Sequence, residues 1–189
     1  MKKIMRGILL LIPLICYPFR SYSYPTVNSL NMKRHEIVHI NNISQIDRSF
    51  IMRNEGIILY PYKDSANLST ICYGHLVTKF DKVKEHYTMD ECLIIFEKDL
   101  TLNMIQNNVC LGVLQNDNQL TSVLDFQFNV GARNACNSSL YRDIKSNSIS
   151  DNIIYHDFML WSYVRVNGKL VPQQGIIDRR KREANLYNK

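Results

Sequence analysis

Strand-forming sequence is crowded into one early stretch of this chain, and that confinement limits the folds open to it. "IILYPYKD" (residues 57–64) and "STICYGHLV" (residues 69–77) are rich in β-branched and aromatic residues, the side chains that suit a pleated, half-buried surface. Ser65-Ala66-Asn67 separates the two runs with turn-forming residues, so they read as a small antiparallel hairpin. Before it a helix is expected over Ser44–Glu55. Ser44 can cap it, Ile46 and Phe50 lie four apart on one face, and Gly56 follows its end. After the hairpin the pattern reads as helical to the end of the chain. Thr88 and Glu91 form a capping box, and Leu93, Phe96, Leu100 and Met104 then recur every three or four residues. Further helices are expected over Gln119–Val130, Ser138–Lys145, Ser150–Tyr163 and Pro172–Tyr187, the last opened by a proline. An early sheet followed by helices is an α+β architecture: a small antiparallel sheet as one lobe, a mainly helical second lobe, and a groove between them. Trp161 ends an amphipathic helix and is expected in the core.

The 189 residues suffice for one domain with a real core. The first of them read differently from the rest. "MKKIMRGILLLIPLICYPFRSYS" has a basic start, an apolar run from Ile8 to Phe19 and small residues at Ser21 and Ser23, the layout of a secretory signal peptide. That run, broken by Pro13, is short for a membrane span of about 20 residues; a buried N-terminal helix and an uncleaved membrane anchor are the alternatives. The expected organisation is a signal peptide over 1–23, a polar leader over 24–43 and a folded domain over 44–189. The signal would make transient membrane contact and send the chain to the periplasm or outside the cell.

Removing the signal takes Lys2, Lys3, Arg6 and Arg20 with it, and no acid. Of 23 basic residues 19 then face 17 acidic ones, a net charge of +2. No basic stripe with interleaved aromatics remains, which excludes a nucleic-acid binder. Arg179-Arg180-Lys181-Arg182 concentrates charge near the end of the chain; Arg179 and Arg180 are expected on a solvated helix face, with pairing to acids near Glu55 or contact with an anionic polymer the alternatives. Four cysteines remain, Cys72, Cys92, Cys110 and Cys136, and an even number in an exported chain favours disulfides with three possible connectivities. The favoured pairing is Cys72–Cys92, tying the hairpin to the next helix, and Cys110–Cys136, flanking the helix over Gln119–Val130. With no CxxC pair and no HExxH, no metal site is expected.

Glu55 stands at the end of the first helix, Asp64 near the hairpin turn and Thr70 on the returning strand. A helix feeding a hairpin would aim the Glu55 carboxyl into the groove and fold Asp64 and Thr70 back toward it. Cleavage of a glycosidic bond uses such a set: one carboxylic acid protonates the leaving oxygen while a carboxylate on the other face helps a water attack. A hydroxyl can hold that water in line. Spacing alone favours the plainer reading, a solvated helix end and a turn aspartate.

The wider pattern decides. Glu55, eight residues, Asp64, five residues, Thr70 and then Gly74-His75 resembles the phage-type lysozymes, the endolysin-like muramidases of glycoside hydrolase family 24. "LTSVLDFQFNVGARNACNSSLYRDI" is similar to that family's Phe-Asn-x-Gly helix and following Ser-Leu, and "WSYVRVNGKLVPQQGIIDRRKREANLY" to its C-terminal block. Together the blocks cover about residues 45–187. The chain departs from the family at Asn67-Leu68-Ser69, where a Gly-Val type of turn is usual, at Ile176 and around Gln173-Gln174.

The resemblance implies a lysozyme-like fold and an exported, inverting muramidase acting on peptidoglycan, monomeric and without a cofactor. Glu55 would be the general acid, with Asp64 and Thr70 positioning the water. Leu76, Phe128 and Ser139 would line the saccharide cleft, with plain core packing the alternative for the first two and a helix cap for the third. His75 is expected to be structural. The alternative function is a catalytically silent lysozyme-like protein that only binds peptidoglycan.

Overall fold

The computed structural model describes residues 46–64, 67–112, 115–146, 150–166 and 168–189. The expected signal peptide, the leader and Ser44 lie outside the described residues. Among those residues no helix is long and apolar enough to cross a membrane.

Helix α1 spans Arg48–Glu55 and starts later than its sequence suggests, because Asp47 takes the cap: its carboxylate accepts the Phe50 N–H at 3.1 Å. The Asp47 N–H in turn donates to Thr121 Oγ1 at 3.0 Å, which fastens the start of α1 to the centre of the protein. Ile46 precedes the helix, and Ile51 rather than Phe50 is its fully buried residue. Gly56 closes it.

The sheet has three strands, one more than the hairpin read from sequence: β1 Ile58–Lys63, β2 Ser69–Cys72 and β3 His75–Leu76, in that order and antiparallel. Tyr62 stands opposite Thr70, and Thr70 opposite Leu76. The β1–β2 register slips between Ile58 and Tyr62. That stretch contains Pro61, whose nitrogen has no proton to give a ladder.

Helix α2, Met89–Leu111, begins with the Thr88–Glu91 capping box, both halves of which form. Its buried stripe is Cys92, Phe96, Leu100, Met104, Asn107 and Leu111. Cys92 replaces the expected Leu93, which is only partly buried, because Cys92 is bonded to Cys72 at the end of β2. A second disulfide joins Cys110, in the last turn of α2, to Cys136.

Helix α3, Asp117–Val130, is the axle of the larger lobe. Every residue from Leu120 to Gln127 is buried, as expected of a helix enclosed on all sides. Around it lie α4 (Ala132–Cys136), α5 (Ser139–Ser146), α6 (Asp151–Met159) and α7 (Gln174–Tyr187). Phe126 is the centre of the aromatic core. Its ring meets Phe158 and Trp161 edge-on, both at 5.6 Å, so Trp161 is core as expected.

The chain is not helical to its end. Helix α6 stops at Met159, and Tyr163–Val166 (β4) and Lys169–Pro172 (β5) form a second antiparallel hairpin. Asn-Gly between two β-branched runs is a strong hairpin signal, and Gly168 takes φ +80°, a conformation that costs glycine little. Pro172 therefore ends a strand, and α7 starts two residues later.

Candidate active site

Glu55 is the last residue of α1, beside the sheet. Its side chain is 14% exposed, and Gly74, between β2 and β3, lets it sit there. A Cβ on Gly74 would lie 3.2 Å from Glu55 Oε2, and its φ of +78° is one that other residues rarely adopt. Glycine at 74 is thus required twice, by the backbone and by the carboxyl. Burial pushes the Glu55 carboxyl above the usual carboxylate range, although Arg179 Nη2, 2.5 Å from Oε1, pulls the other way.

Asp64 follows β1 and is built into the turn. Its carboxylate accepts the Leu68 N–H at 2.8 Å, its own N–H donates to the Leu68 carbonyl at 3.0 Å, and its carbonyl accepts from the Asn67 N–H at 2.9 Å. Asn67 holds φ +63°. Asparagine tolerates that region, so the departure from a glycine turn leaves Asp64 anchored. Thr70 is buried in β2 and its hydroxyl donates to the Leu68 carbonyl at 3.2 Å.

Tyr62 links these groups. It faces Thr70 across the ladder, and residues directly opposite share a sheet face. Burial raises its phenol pKa, and the carboxylates of Glu55 and Asp64 both raise it further. One ring therefore lies within the field of both acids. Sequence reading passed over Tyr62, although its place on the hairpin strand, two residues before Asp64, was legible.

The other expected site residues are dispersed. Leu76 is half exposed on β3, opposite Thr70. Phe128 packs partly buried against Phe96, with ring centres 5.8 Å apart. The Ser139 hydroxyl donates to Asp157 Oδ1 at 2.8 Å, joining α5 to α6, while the cap of α5 is made by Ser138, whose Oγ accepts the Tyr141 N–H. His75 is bound to Asp99, with Nδ1 2.8 Å from Oδ2, and Asp81 lies 3.5 Å from its other nitrogen.

Arg179 and Arg180 overturn the expectation of a solvated helix face. They are 6% and 0% exposed. Arg179 donates to Glu55, to both carboxylate oxygens of Asp125 and to Glu183. Arg180 pairs with Glu183 and lies over the Phe126 ring, 4.9 Å from its centre. The reason is balance: guanidinium can be buried when carboxylates match it. Asp125 and Glu183 were missed altogether. Their signals were an aspartate inside the apolar run "SVLDFQF" and an Arg-Glu pair four apart on the helix face that also carries Ala184. Among the described residues no group of three or more histidine, cysteine or acidic side chains is arranged to hold a metal.

This geometry has relatives. The family model for phage lysozyme matches residues 52–183. The endolysin of Acyrthosiphon pisum secondary endosymbiont phage 1 is 28% identical over 146 residues, 77% of this chain and 97% of that one. The SAR-endolysin of Bacteriophage PS34 is 32% identical over 132 residues, 70% of this chain and 75% of its own. Among solved structures, the endolysin from Escherichia coli O157:H7 phage FAHEc1 superposes with a TM-score of 0.65 at 24% identity, covering 74% of this chain and 88% of that one, a likeness of fold. Since the family match runs unbroken from the helix that ends in Glu55 to the buried Glu183, this chain belongs to the phage lysozyme family.

Proposed function

We propose that this protein is a peptidoglycan-hydrolysing muramidase that cleaves the β-1,4 bond between N-acetylmuramic acid and N-acetylglucosamine. Glu55 is the general acid that protonates the leaving oxygen. Asp64 and Thr70 hold the attacking water on the opposite face, and the product inverts. One observation carries this reading: Glu55 is a nearly buried carboxyl whose acid form is favoured by burial, held at the edge of the sheet where Gly74 makes room for it. A carboxyl kept protonated near neutral pH is what a general acid requires. Leu76, exposed beside Thr70, supplies apolar surface for a sugar ring. The silent-binder alternative is disfavoured, because a protein that only binds glycan has no use for a carboxyl whose acid form burial favours.

The chain acts on the cell wall after export, with residues 1–23 removed as a signal peptide. N-terminal sequencing of the mature protein should begin near Tyr24.

The catalytic test is Glu55→Gln, which keeps the shape and removes the proton donor. Lysis of permeabilised Gram-negative cells should fall by about 10²–10⁴, and wild-type digests should carry new reducing N-acetylmuramic ends. Undiminished lysis by the variant, or 1,6-anhydro ends in the digest, would reject the hydrolytic mechanism.

A further inference from the structure

Five charged side chains meet where three helices pack together: Glu55 of α1, Asp125 of α3, and Arg179, Arg180 and Glu183 of α7. Arginine keeps its charge in proteins. With all three carboxyls ionised the set would therefore carry one excess negative charge. Buried net charge is costly, and a group that can take up a proton does so instead. The cluster is neutral when it holds one proton.

The hydrogen bonds choose which carboxyl takes it. Glu183 Oε1 accepts from Arg179 Nε at 3.2 Å, and its Oε2 accepts from Arg180 Nη1. Asp125 Oδ1 accepts from Arg179 Nη2 at 3.0 Å, and its Oδ2 accepts from Arg179 Nε at 3.1 Å and Asn54 Nδ2 at 2.8 Å. Each of these four oxygens already accepts from an N–H donor, and the Asp125 and Glu183 carboxyls lie within hydrogen-bond reach of each other. Glu55 Oε1 likewise faces Arg179. Glu55 Oε2 receives no N–H from any described residue and looks toward Gly74. It also belongs to the one carboxyl of the three with solvent access, the other two side chains being 0% exposed.

We infer that Asp125 and Glu183 are positioning residues that neutralise Arg179 and Arg180, so that the cluster retains a single proton and Glu55 Oε2 is the atom that carries it. This rests on Glu55 being the general acid. Without the two buried carboxylates, a pair of guanidinium groups would face Glu55 alone and hold it ionised, with no proton to donate. The remaining groups around the cluster do not upset the count. Asn54 and Asn129 are neutral, Arg182 is exposed and bound to the Asn54 amide, and the Tyr62 phenol stays protonated. The rival seat for the proton is Glu183, which burial, the charge of Asp125 and a hydrogen bond to Asp125 push upward, while each of its oxygens accepts from an arginine that favours the ionised form.

The first test is Asp125→Asn, which keeps the side-chain shape and removes one negative charge. The cluster then balances with Glu55 ionised. The alkaline limb of the lysis-rate profile should move to lower pH by about one unit or more, with activity recovered on the acid side. A lower rate at every pH with an unmoved limb would mean a merely structural Asp125 and overturn the inference. The second test needs no variant and no activity. Carbon-13 NMR of the wild type, labelled at the glutamate carboxyl carbons, should show Glu55 protonated near neutral pH while Glu183 is ionised. Glu183 protonated with Glu55 ionised would overturn the inference. Because Glu55→Gln reports on the muramidase reading by itself, failure of that reading and failure of the proton assignment are told apart.

Discussion

Arg179 Nη2 donates to Glu55 Oε1 at 2.5 Å across 124 residues of sequence, and the same nitrogen donates to Asp125 Oδ1 at 3.0 Å. One guanidinium thus fastens α1 and α3 to α7 and orients the acid. Burial opposes the Arg179 cation, yet Glu55, Asp125 and Glu183 together hold it above its usual range. Arg179→Met should leave Asp125 and Glu183 short of donors in a buried site, a loss of about 3–5 kcal/mol. Denaturant midpoints measure it. Arg179→Lys should not restore stability, because Nε and Nη2 are both engaged and lysine has a single ammonium.

The His75–Asp99 pair makes stability fall as pH rises. The hydrogen bond that His75 donates to Asp99 holds its imidazolium above its ordinary range, against the effect of burial. A group whose folded-state pKa is raised contributes fully below its unfolded value, about 6.5, and loses that contribution as pH rises through the folded value. His75→Asn should therefore cost about 1.5–3 kcal/mol at mildly acid pH. The gap from wild type should narrow in unfolding curves taken well above neutrality. A gap that is constant with pH would mean that packing, not charge, holds His75.

Gly74→Ala separates backbone strain from active-site crowding. The positive φ alone should cost about 1–2 kcal/mol. The added Cβ, 3.2 Å from Glu55 Oε2, must also displace the carboxyl by a few tenths of an ångström. Lytic activity should then drop by up to about a hundredfold, the scale of catalytic misplacement. Gly168→Ala carries a similar φ of +80° in the second hairpin and meets nothing within 4 Å. It should lose comparable stability and keep its activity.

Reduction should loosen the two lobes separately. The Cys72–Cys92 and Cys110–Cys136 bonds span 20 and 26 residues of sequence, and loops of that size are worth about 3–4 kcal/mol each in the chain-entropy model. Dithiothreitol should lower Tm, and non-reducing peptide maps should link 72 with 92 and 110 with 136. A peptide joining Cys72 to Cys110 or Cys136 would overturn the pairing.

The sequence by itself determined what is local. The Thr88–Glu91 capping box, the run of strand formers around Ser65-Ala66-Asn67 and the apolar repeat from Phe96 to Met104 each lie within a few residues, where propensity and spacing decide. The Glu55, Asp64, Thr70 and Gly74-His75 spacing pointed to the family for the same reason. Local signals also misled where a near neighbour competed. Asp47 caps α1, and the hairpin turn at Gly168 makes strands of residues that had read as helix ends.

Only the tertiary structure decided the electrostatics around the acid. Arg179 and Arg180 look like a solvated basic run until α3 brings Asp125 against them and α1 brings Glu55. Whether a charge is buried depends on partners far away along the chain, and no helical period announces them. The same holds for Ser139, whose hydroxyl turns to Asp157 on the next helix. Periodicity reports which face of an element is apolar. It cannot report which charges will cancel once the elements meet, because that energy arises between elements and exists only when water has been excluded from between them.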